Sequence, residues 1–276
     1  MAQTPTLQEI RDFKGTYPKQ LIYLFGTEMW ERFCFYGLRG MLTVFMVTEL
    51  GLAEKAANLQ YGAIQAFVYA FTFLGGVFAD KILGFQKSLF WGALLMIIGG
   101  FVIAAAPKEF FYIGICFNII GTGFFKPNIS TMVGQLYNEG DARRDAGFGL
   151  FYMGINVGAF LGGLLMVWVG KSYSWRAAFA LVGVVMIISL INFAMRRKSL
   201  GPIGLSPLPA GMSAQRKRYL EIGTYIGSLI TIPLILLMVT NTAYTDLFMY
   251  IVGPLTLLYL AWEMRNFSRA ENRKLL

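Results

Sequence analysis

Five ionisable residues lie within apolar stretches of the sequence. Glu28, Glu31, Arg32 and Arg39 fall in one stretch, and Lys126 falls in another. A charge inside a membrane costs free energy, so such residues usually pair with one another or line a pathway for ions or substrate. Two acids against three bases leave a positive charge, which predicts an anionic substrate group as the missing partner. Because the chain has no histidine, proton chemistry near neutral pH would depend on carboxylates.

The residues of the first stretch share one face of a predicted helix. A helix turns by about 100° per residue, so a sector of roughly 80° contains Glu28, Arg32, Phe35 and Arg39, flanked by Glu31 and Tyr36. An alternative is that Glu28 and Arg32 form only a structural ion pair at spacing i,i+4. If Glu28 and Arg32 neutralise each other, Glu31 is the one intramembrane carboxylate that remains for the two cations Arg39 and Lys126. Lys126 could also snorkel from a helix end, but the apolar stretch continues beyond it.

The composition places the chain in a membrane. It is 56% hydrophobic and 14% charged, with a mean hydropathy of +0.56, whereas a soluble domain carries about 25% charged residues. The apolar residues occur in blocks of about 20, the length of a helix that crosses the hydrocarbon core. We therefore predict an all-α, multi-pass membrane protein with eight spans, at about 20–48, 58–79, 88–106, 110–134, 147–169, 176–195, 219–240 and 247–264.

These spans divide the chain into five predicted parts. A polar segment, 1–19, precedes a six-helix bundle over 20–195. The linker 196–218, with three prolines and six basic residues, separates this bundle from two additional spans over 219–264. Residues 265–276 form a tail. Because the first segment is polar and mixed in charge, no cleavable signal peptide is expected at the start of the chain.

Basic residues predict the orientation, because cytoplasmic loops carry the excess of Lys and Arg. Of the 24 basic residues, 17 would lie on the side of the N-terminus, 4 on the opposite side and 3 within spans. Both termini are therefore predicted to be cytoplasmic. The net charge of +9 is then explained by attraction to an anionic leaflet, without a nucleic-acid partner.

The residue types disfavour an enzyme. The sequence has no histidine, no metal-ligand spacing and no Ser or Cys nucleophile beside a base, so neither a catalytic residue nor a metal or cofactor is predicted. Cys34 and Cys116 both fall in apolar blocks, which predicts buried free thiols rather than a disulfide.

A faint internal repeat relates the first six spans. Shifting the chain by 87 residues places Arg39 on Lys126, Tyr69 on Asn156, and one Leu-Gly-Gly segment on another. Spans 1–3 would then repeat spans 4–6, as in transporters built from inverted three-helix units. The repeat puts two intramembrane cations at equivalent positions.

Glycines at spacing four predict a smooth face on span 5. Gly154, Gly158 and Gly162 favour a helix-contact surface, the alternative being a surface that slides during a conformational change. Asn156 lies off this face and is predicted to face a pore.

Four motifs then resemble known families. EMWERFCFYG (28–37) resembles the ExxERFxYYG motif of the proton-dependent oligopeptide transporters (POT), and the segments FNIIGTGFFKPNIS (117–130) and DAGFGLFYMGINVGAF (145–160) resemble that family's next two signatures. GGVFADKILG (75–84) is similar to a loop motif found throughout the major facilitator superfamily. The resemblance covers residues from about 20 to 264.

The resemblance implies a proton-coupled symporter of di- and tripeptides in the inner (plasma) membrane, working by alternating access. It assigns proton coupling to Glu28, Glu31, Arg32 and Lys126, with Lys126 pairing with the carboxylates. It assigns peptide binding to Arg39, Lys126, Tyr36, Tyr69 and Asn156, the two cations receiving the peptide carboxylate. Asp80 would belong to the cytoplasmic gating contacts.

Two departures from the family pattern qualify this expectation. Phe35 stands where the family motif has its first tyrosine, which affects a peptide contact. Spans 7 and 8 match the two extra helices of bacterial members, so the chain would represent an N-terminal half. It could be a fragment, or a half that assembles with a C-terminal six-helix bundle or with a second chain. The alternatives in function are a non-transporting binding or scaffold protein, and a family member that moves nitrate or another small anion.

Overall fold

A computed structural model describes residues 4–266 of the chain. The described residues form helices and connecting turns without a β-strand, so the all-α class is confirmed. In chain order the helices are α1 (Leu7–Arg11), α2 (Lys19–Thr48), α3 (Glu54–Phe78), α4 (Phe85–Ala105), α5 (Pro107–Gln135), α6 (Arg143–Ser172), α7 (Trp175–Arg196), α8 (Ala214–Ile230), α9 (Ile232–Thr240) and α10 (Thr242–Glu263). A π-turn, Ala79–Leu83, extends α3, and short 3₁₀ turns follow α7 (Arg197–Leu200) and α10 (Met264–Asn266).

The helices lie where the spans were predicted, with two differences. The seventh predicted span is divided, because α8 ends at Ile230 and α9 restarts with Pro233 in its first turn, where a missing N–H is tolerated. In addition, α8 begins at Ala214, within the predicted linker, where the Ser213 hydroxyl caps it by accepting from the N–H of Arg216. Most of the predicted tail, from 267 onwards, lies outside the described residues.

Six helical segments in the described part of the chain are long and apolar enough to cross a membrane. They are Glu54–Leu83, Phe85–Ala105, Pro107–Gln135, Arg143–Ser172, Trp175–Leu200 and Ala214–Thr240. The 30-residue α2 is not among them because it carries Glu28, Glu31, Arg32 and Arg39 within its apolar sequence. This helix is therefore long enough to cross the membrane, but it requires protein partners for its polar face.

The first six long helices form two units, α2–α4 and α5–α7, that exchange their first helices. α2 packs against α6 and α7 of the other unit, and α5 packs in the same way against α3 and α4. The third helices, α4 and α7, pack against each other. The same contacts recur when the two units are interchanged, so the predicted 3+3 repeat is confirmed. Outside this bundle, α9 contacts α3 and α5, and α10 contacts α3 and α9.

Glycines set the distance between the exchanged helices. A Cβ atom on Gly162 would lie 2.0 Å from a backbone carbonyl oxygen of α2, and one on Gly75, 87 residues earlier, would lie 2.2 Å from the carbonyl of Gly123 on α5. Gly154 and Gly158 also face α2 at distances that leave no room for a methyl group. The interpretation of the span-5 glycines as a helix-contact surface is therefore confirmed.

The linker after α7 docks against the turn between α3 and α4. Gln86 donates hydrogen bonds to two linker carbonyls at 2.9 and 2.7 Å, and the Ser206 hydroxyl donates to the carbonyl of Ile82 at 2.6 Å. Gly84 in this turn has a φ of +76°, and a Cβ there would lie 2.5 Å from the backbone of Leu205. Only glycine fits both the dihedral angle and the contact.

Arg143, at the start of α6, anchors the N-terminal segment. Its guanidinium donates to the carbonyls of Phe13 and Gly15 at 3.0 and 3.1 Å and lies 4.0 Å over the Phe13 ring. The same side chain pairs with Asp141 at 2.7 Å and holds the pKa of Asp141 below its usual value by hydrogen bonding. Segment 1–19, from residue 4 onward, is therefore packed on the end of the bundle.

Two adjacent glycines of α6 test the importance of the α2 contact. Gly162→Ala should destabilise the protein by about 1–3 kcal/mol, because the methyl group meets backbone that cannot move aside. Gly163→Ala is the matched control, since nothing lies within 4 Å of its Cβ position, and should be neutral or stabilising by up to about 1 kcal/mol. Thermal unfolding in detergent measures both. Equal melting temperatures for the two variants would contradict the close α2–α6 packing.

Candidate functional site

Arg32 lies between two carboxylates of its own helix, all three buried in the bundle. Its Nε is 3.2 Å from Oε1 of Glu28, one turn before, and also donates to Oε2 of Glu31. The exposed fractions are 2% for Glu28, 0% for Glu31 and 2% for Arg32. The structure therefore contains the i,i+4 ion pair and adds Glu31 to it.

This cluster of Glu28, Glu31 and Arg32 is one positive charge short of neutrality. Oε2 of Glu28, Oε1 of Glu31 and Nη2 of Arg32 are buried and have no hydrogen-bond partner among the described residues. Phe35 covers the guanidinium, with its ring centroid 4.7 Å from Cζ of Arg32. A single proton on either carboxyl group would make the cluster neutral and supply a donor for an unpaired oxygen. The arrangement is suited to holding one exchangeable proton.

Arg39 lies two turns further along α2 and has a neutral partner. Its Nε donates to the hydroxyl of Tyr61 on α3, and its Cζ lies 5.7 Å from the centre of the same ring. Arg39 also lines a cavity together with Gln65 and Asn118, whose side-chain oxygens are buried and unpaired among the described residues. Arg39 is half-buried, and no carboxylate among the described side chains pairs with its guanidinium.

Lys126 likewise rests on an aromatic ring. Its Nζ lies 5.1 Å from the centroid of Tyr69, and no carboxylate among the described side chains lies within 4.0 Å of it. The implied ion pair between Lys126 and the carboxylates is therefore not formed in this conformation. Lys126 nevertheless lies within electrostatic range of Glu28, Glu31 and Arg39.

The residues around Lys126 allow α5 to lie close to its neighbouring helices. A Cβ on Gly121 would collide with α4, and one on Gly123 would collide with α3, so both neighbouring helices approach closely one turn before the lysine. Pro127 lacks an N–H, which leaves the carbonyl of Gly123 without its usual helical donor. That carbonyl lies against Gly75 of α3.

The other predicted site residues are half-buried or exposed. Tyr36 is half-buried and packs edge-on against Phe35, with ring centroids 5.3 Å apart. Tyr69 is 59% exposed. Asn156 is also exposed, on the face of α6 that is turned away from α2. Asp80 lies exposed in the π-turn after α3, without a hydrogen bond or ion pair to the described residues.

Sequence analysis missed Tyr61 and Gln65. Both belong to α3, where Tyr61, Gln65 and Tyr69 follow one another at spacing four along one side of the helix. The spacing of these three polar residues was a usable signal.

Comparison with known proteins identifies the family of the chain. The model of the POT family matches residues 86–207. The peptide transporter YePEPT of Yersinia enterocolitica is 33% identical over 290 residues, which cover 96% of this chain and 56% of the relative. The chain belongs to the POT family. Its relatives are named as transporters and permeases rather than enzymes.

Further relatives and solved structures agree. The dipeptide and tripeptide permease A of Yersinia pestis is 37% identical over 219 residues, covering 78% of this chain and 43% of the permease. Crystal structures of a mutant POT peptide transporter match with 33% identity and a TM-score of 0.73 in complex with sulfate, and with 34% identity and a TM-score of 0.74 in complex with alafosfalin. Both matches cover 93% of this chain, and 56% and 55% of the crystallised one. The chain thus spans about half the length of the curated relatives it matches.

The two arginines of α2 should differ in their effect on stability. Arg32→Gln leaves two buried carboxylates without a cation and should cost roughly 3–5 kcal/mol. Arg39→Gln removes a charged donor to a phenol and should cost less than about 3 kcal/mol. Thermal unfolding in detergent at pH 7 and pH 5 measures this. Acid should recover part of the Arg32→Gln loss because protonation removes the carboxylate charges, and an unchanged loss at pH 5 would contradict the arrangement.

Proposed function

We propose that this chain supplies part of a proton-coupled symporter of di- and tripeptides, namely the proton-coupling cluster and the half of the site that binds the peptide carboxylate. One observation carries the proposal. The two intramembrane cations outside the cluster, Arg39 and Lys126, have only aromatic side chains as close partners among the described residues.

An anionic group of the substrate is the natural partner for these cations. Arg39 and Lys126 lie within electrostatic range of each other, so their charges repel until an anion binds. A carboxylate between them would gain charge-assisted hydrogen bonds from both. The relatives are named as peptide transporters and dipeptide and tripeptide permeases, which favours the C-terminal carboxylate of a short peptide. Tyr36, Tyr69 and Asn156 would line the rest of this half-site.

Coupling would follow from the electrostatic interaction between Lys126 and the cluster. Lys126 is within electrostatic range of both carboxylates of the cluster, so a peptide carboxylate that neutralises Lys126 weakens the positive field at Glu28 and Glu31. The cluster then holds a proton more readily. By thermodynamic reciprocity, protonation of the cluster strengthens peptide binding to the same degree.

A second six-helix bundle would complete the site. Tyr69 and Asn156, at equivalent positions of the two three-helix units, are both exposed on the bundle surface, where another bundle could meet them. Alternating access requires such a partner, supplied by the same polypeptide or by another chain. Asp80, exposed at the end of α3, would then take part in gating contacts with that partner.

The distribution of basic residues supports the orientation of this assembly. The ends of the helices that carry Arg11, Lys87, Arg143 and Arg197 would face the cytoplasm, with the protein in the inner membrane. The N-terminal segment and the linker would then share the cytoplasmic side with the tail.

Substitution of Lys126 tests the half-site. In proteoliposomes that contain the chain together with its partner bundle, Lys126→Ala should reduce uptake of an alanine dipeptide under an inward proton gradient at least about tenfold, because one of two anion contacts is lost. Lys171→Ala, at the exposed end of α6, is the matched control and should retain uptake.

Binding of the same dipeptide to the purified chain separates recognition from translocation. Retained binding and uptake in Lys126→Ala, or no dipeptide binding by the wild-type chain, would contradict the proposal. Uptake of nitrate in place of the dipeptide would favour a small-anion transporter instead.

Substitution of the carboxylates tests proton coupling. The double variant Glu28→Gln/Glu31→Gln should lose accumulation of dipeptide against its gradient while retaining exchange between external and internal dipeptide, because no proton can be carried. Glu54→Gln, at the exposed start of α3, is the control. The proposal fails if the double variant still accumulates dipeptide in response to the proton gradient.

A further inference from the structure

An open groove lies between α4 and α8. Its walls are formed by Lys87, Phe90, Trp91, Leu94, Arg197, Glu221 and Tyr225. The groove is independent of the proposed transport site, because it shares no residue with it.

The groove changes from charged to apolar along its length. On α4, residues 87, 90, 91 and 94 follow the i, i+3, i+4, i+7 pattern of one helix face. Lys87 lies in the first turn of α4, and Phe90, Trp91 and Leu94 lie progressively deeper in the span. Arg197 follows the last residue of α7 and joins Lys87 at the charged end. A molecule that fills the groove must therefore have an anionic end and an apolar end.

Specific side-chain contacts join α4 and α8, the two helices that form the groove. The indole Nε1 of Trp91 donates to the hydroxyl of Ser228 at 3.2 Å, and its ring lies 4.7 Å from that of Tyr225. These contacts join α4 to α8 beneath the groove. The groove is thus a feature of the packed structure.

The charged end has an excess of positive charge. Glu221 is paired with Lys87, whereas Arg197 is exposed and has no carboxylate within 4.0 Å in the described part of the chain. Three further basic residues, at positions 216–218, lie within the first five residues of α8. Clusters of Lys and Arg next to the end of a membrane span attract anionic lipids.

We propose that this groove binds an anionic phospholipid, with the headgroup phosphate at Arg197 and an acyl chain along Phe90, Trp91 and Leu94. The Lys87–Glu221 ion pair limits the affinity, because Glu221 withholds the second cation from the phosphate. The lipid would fill the space between the six-helix bundle and α8.

Native mass spectrometry of the full chain in mild detergent tests the proposal, with phosphatidylglycerol as the probe. Arg197→Gln should weaken binding about fivefold, the effect of one basic residue near an anionic headgroup. Lys198→Gln is the matched control. It removes the same charge at the next position of the same 3₁₀ turn, but it does not line the groove, and it should change binding less than about twofold.

A third variant distinguishes a specific change in lipid binding from a loss of binding caused by misfolding. Glu221→Gln should strengthen phosphatidylglycerol binding several-fold, because it releases Lys87, whereas a damaged fold could only weaken it. The proposal is overturned if the 197 and 198 variants lose binding equally, if Glu221→Gln does not strengthen it, or if phosphatidylcholine or phosphatidylethanolamine with the same acyl chains binds as well. Displacement of the lipid by excess inorganic phosphate would also overturn it, since the site would then recognise a free anion rather than a lipid.

Discussion

The burial of Arg32 between two carboxylates is the constraint on which the rest of the structure depends. Two acids and one base placed in a membrane-spanning helix require a closed protein environment. Glycines on α6 provide it, because they allow the backbone of that helix to lie directly against α2. The next charged side chain of α2, Arg39, lies outside the closed region and in contact with α3. One helix thus carries an arginine that is paired with carboxylates, Arg32, and an arginine that is not, Arg39.

The exchanged packing of the two units places the second unneutralised cation opposite the first. Arg39 and Lys126 both lie on the first helix of their unit, and each contacts a tyrosine of α3. The symmetry is not complete in chemistry, since α5 has no counterpart of the carboxylates of α2 at this level. The site therefore combines a symmetric framework with an asymmetric charge distribution, in which the carboxylates and the unneutralised cations have separate places.

The sequence was sufficient for the fold class, the repeat and the charged cluster, because these depend on local patterns. Glu28 and Arg32 are one turn apart, and the glycines of α6 follow a fixed spacing. Contacts between helices were harder to predict. The hydrogen bond between Arg39 and Tyr61 joins two helices, and the direction of Lys126 towards Tyr69 depends on how α3 and α5 cross. The division between α8 and α9 was also missed, although Pro233 signals it.

The exchange of first helices has a consequence for how the protein is made. During synthesis α2 emerges before the helices that cover its polar face, α6 and α7, which begin more than 100 residues after Arg32. Until they arrive, α2 has only its own Glu28, Glu31 and Arg32 to neutralise one another in the bilayer. The ion cluster within one helix therefore lowers the free-energy cost of keeping α2 in the bilayer before α6 and α7 are inserted. The bundle can close only after its sixth long helix has been inserted.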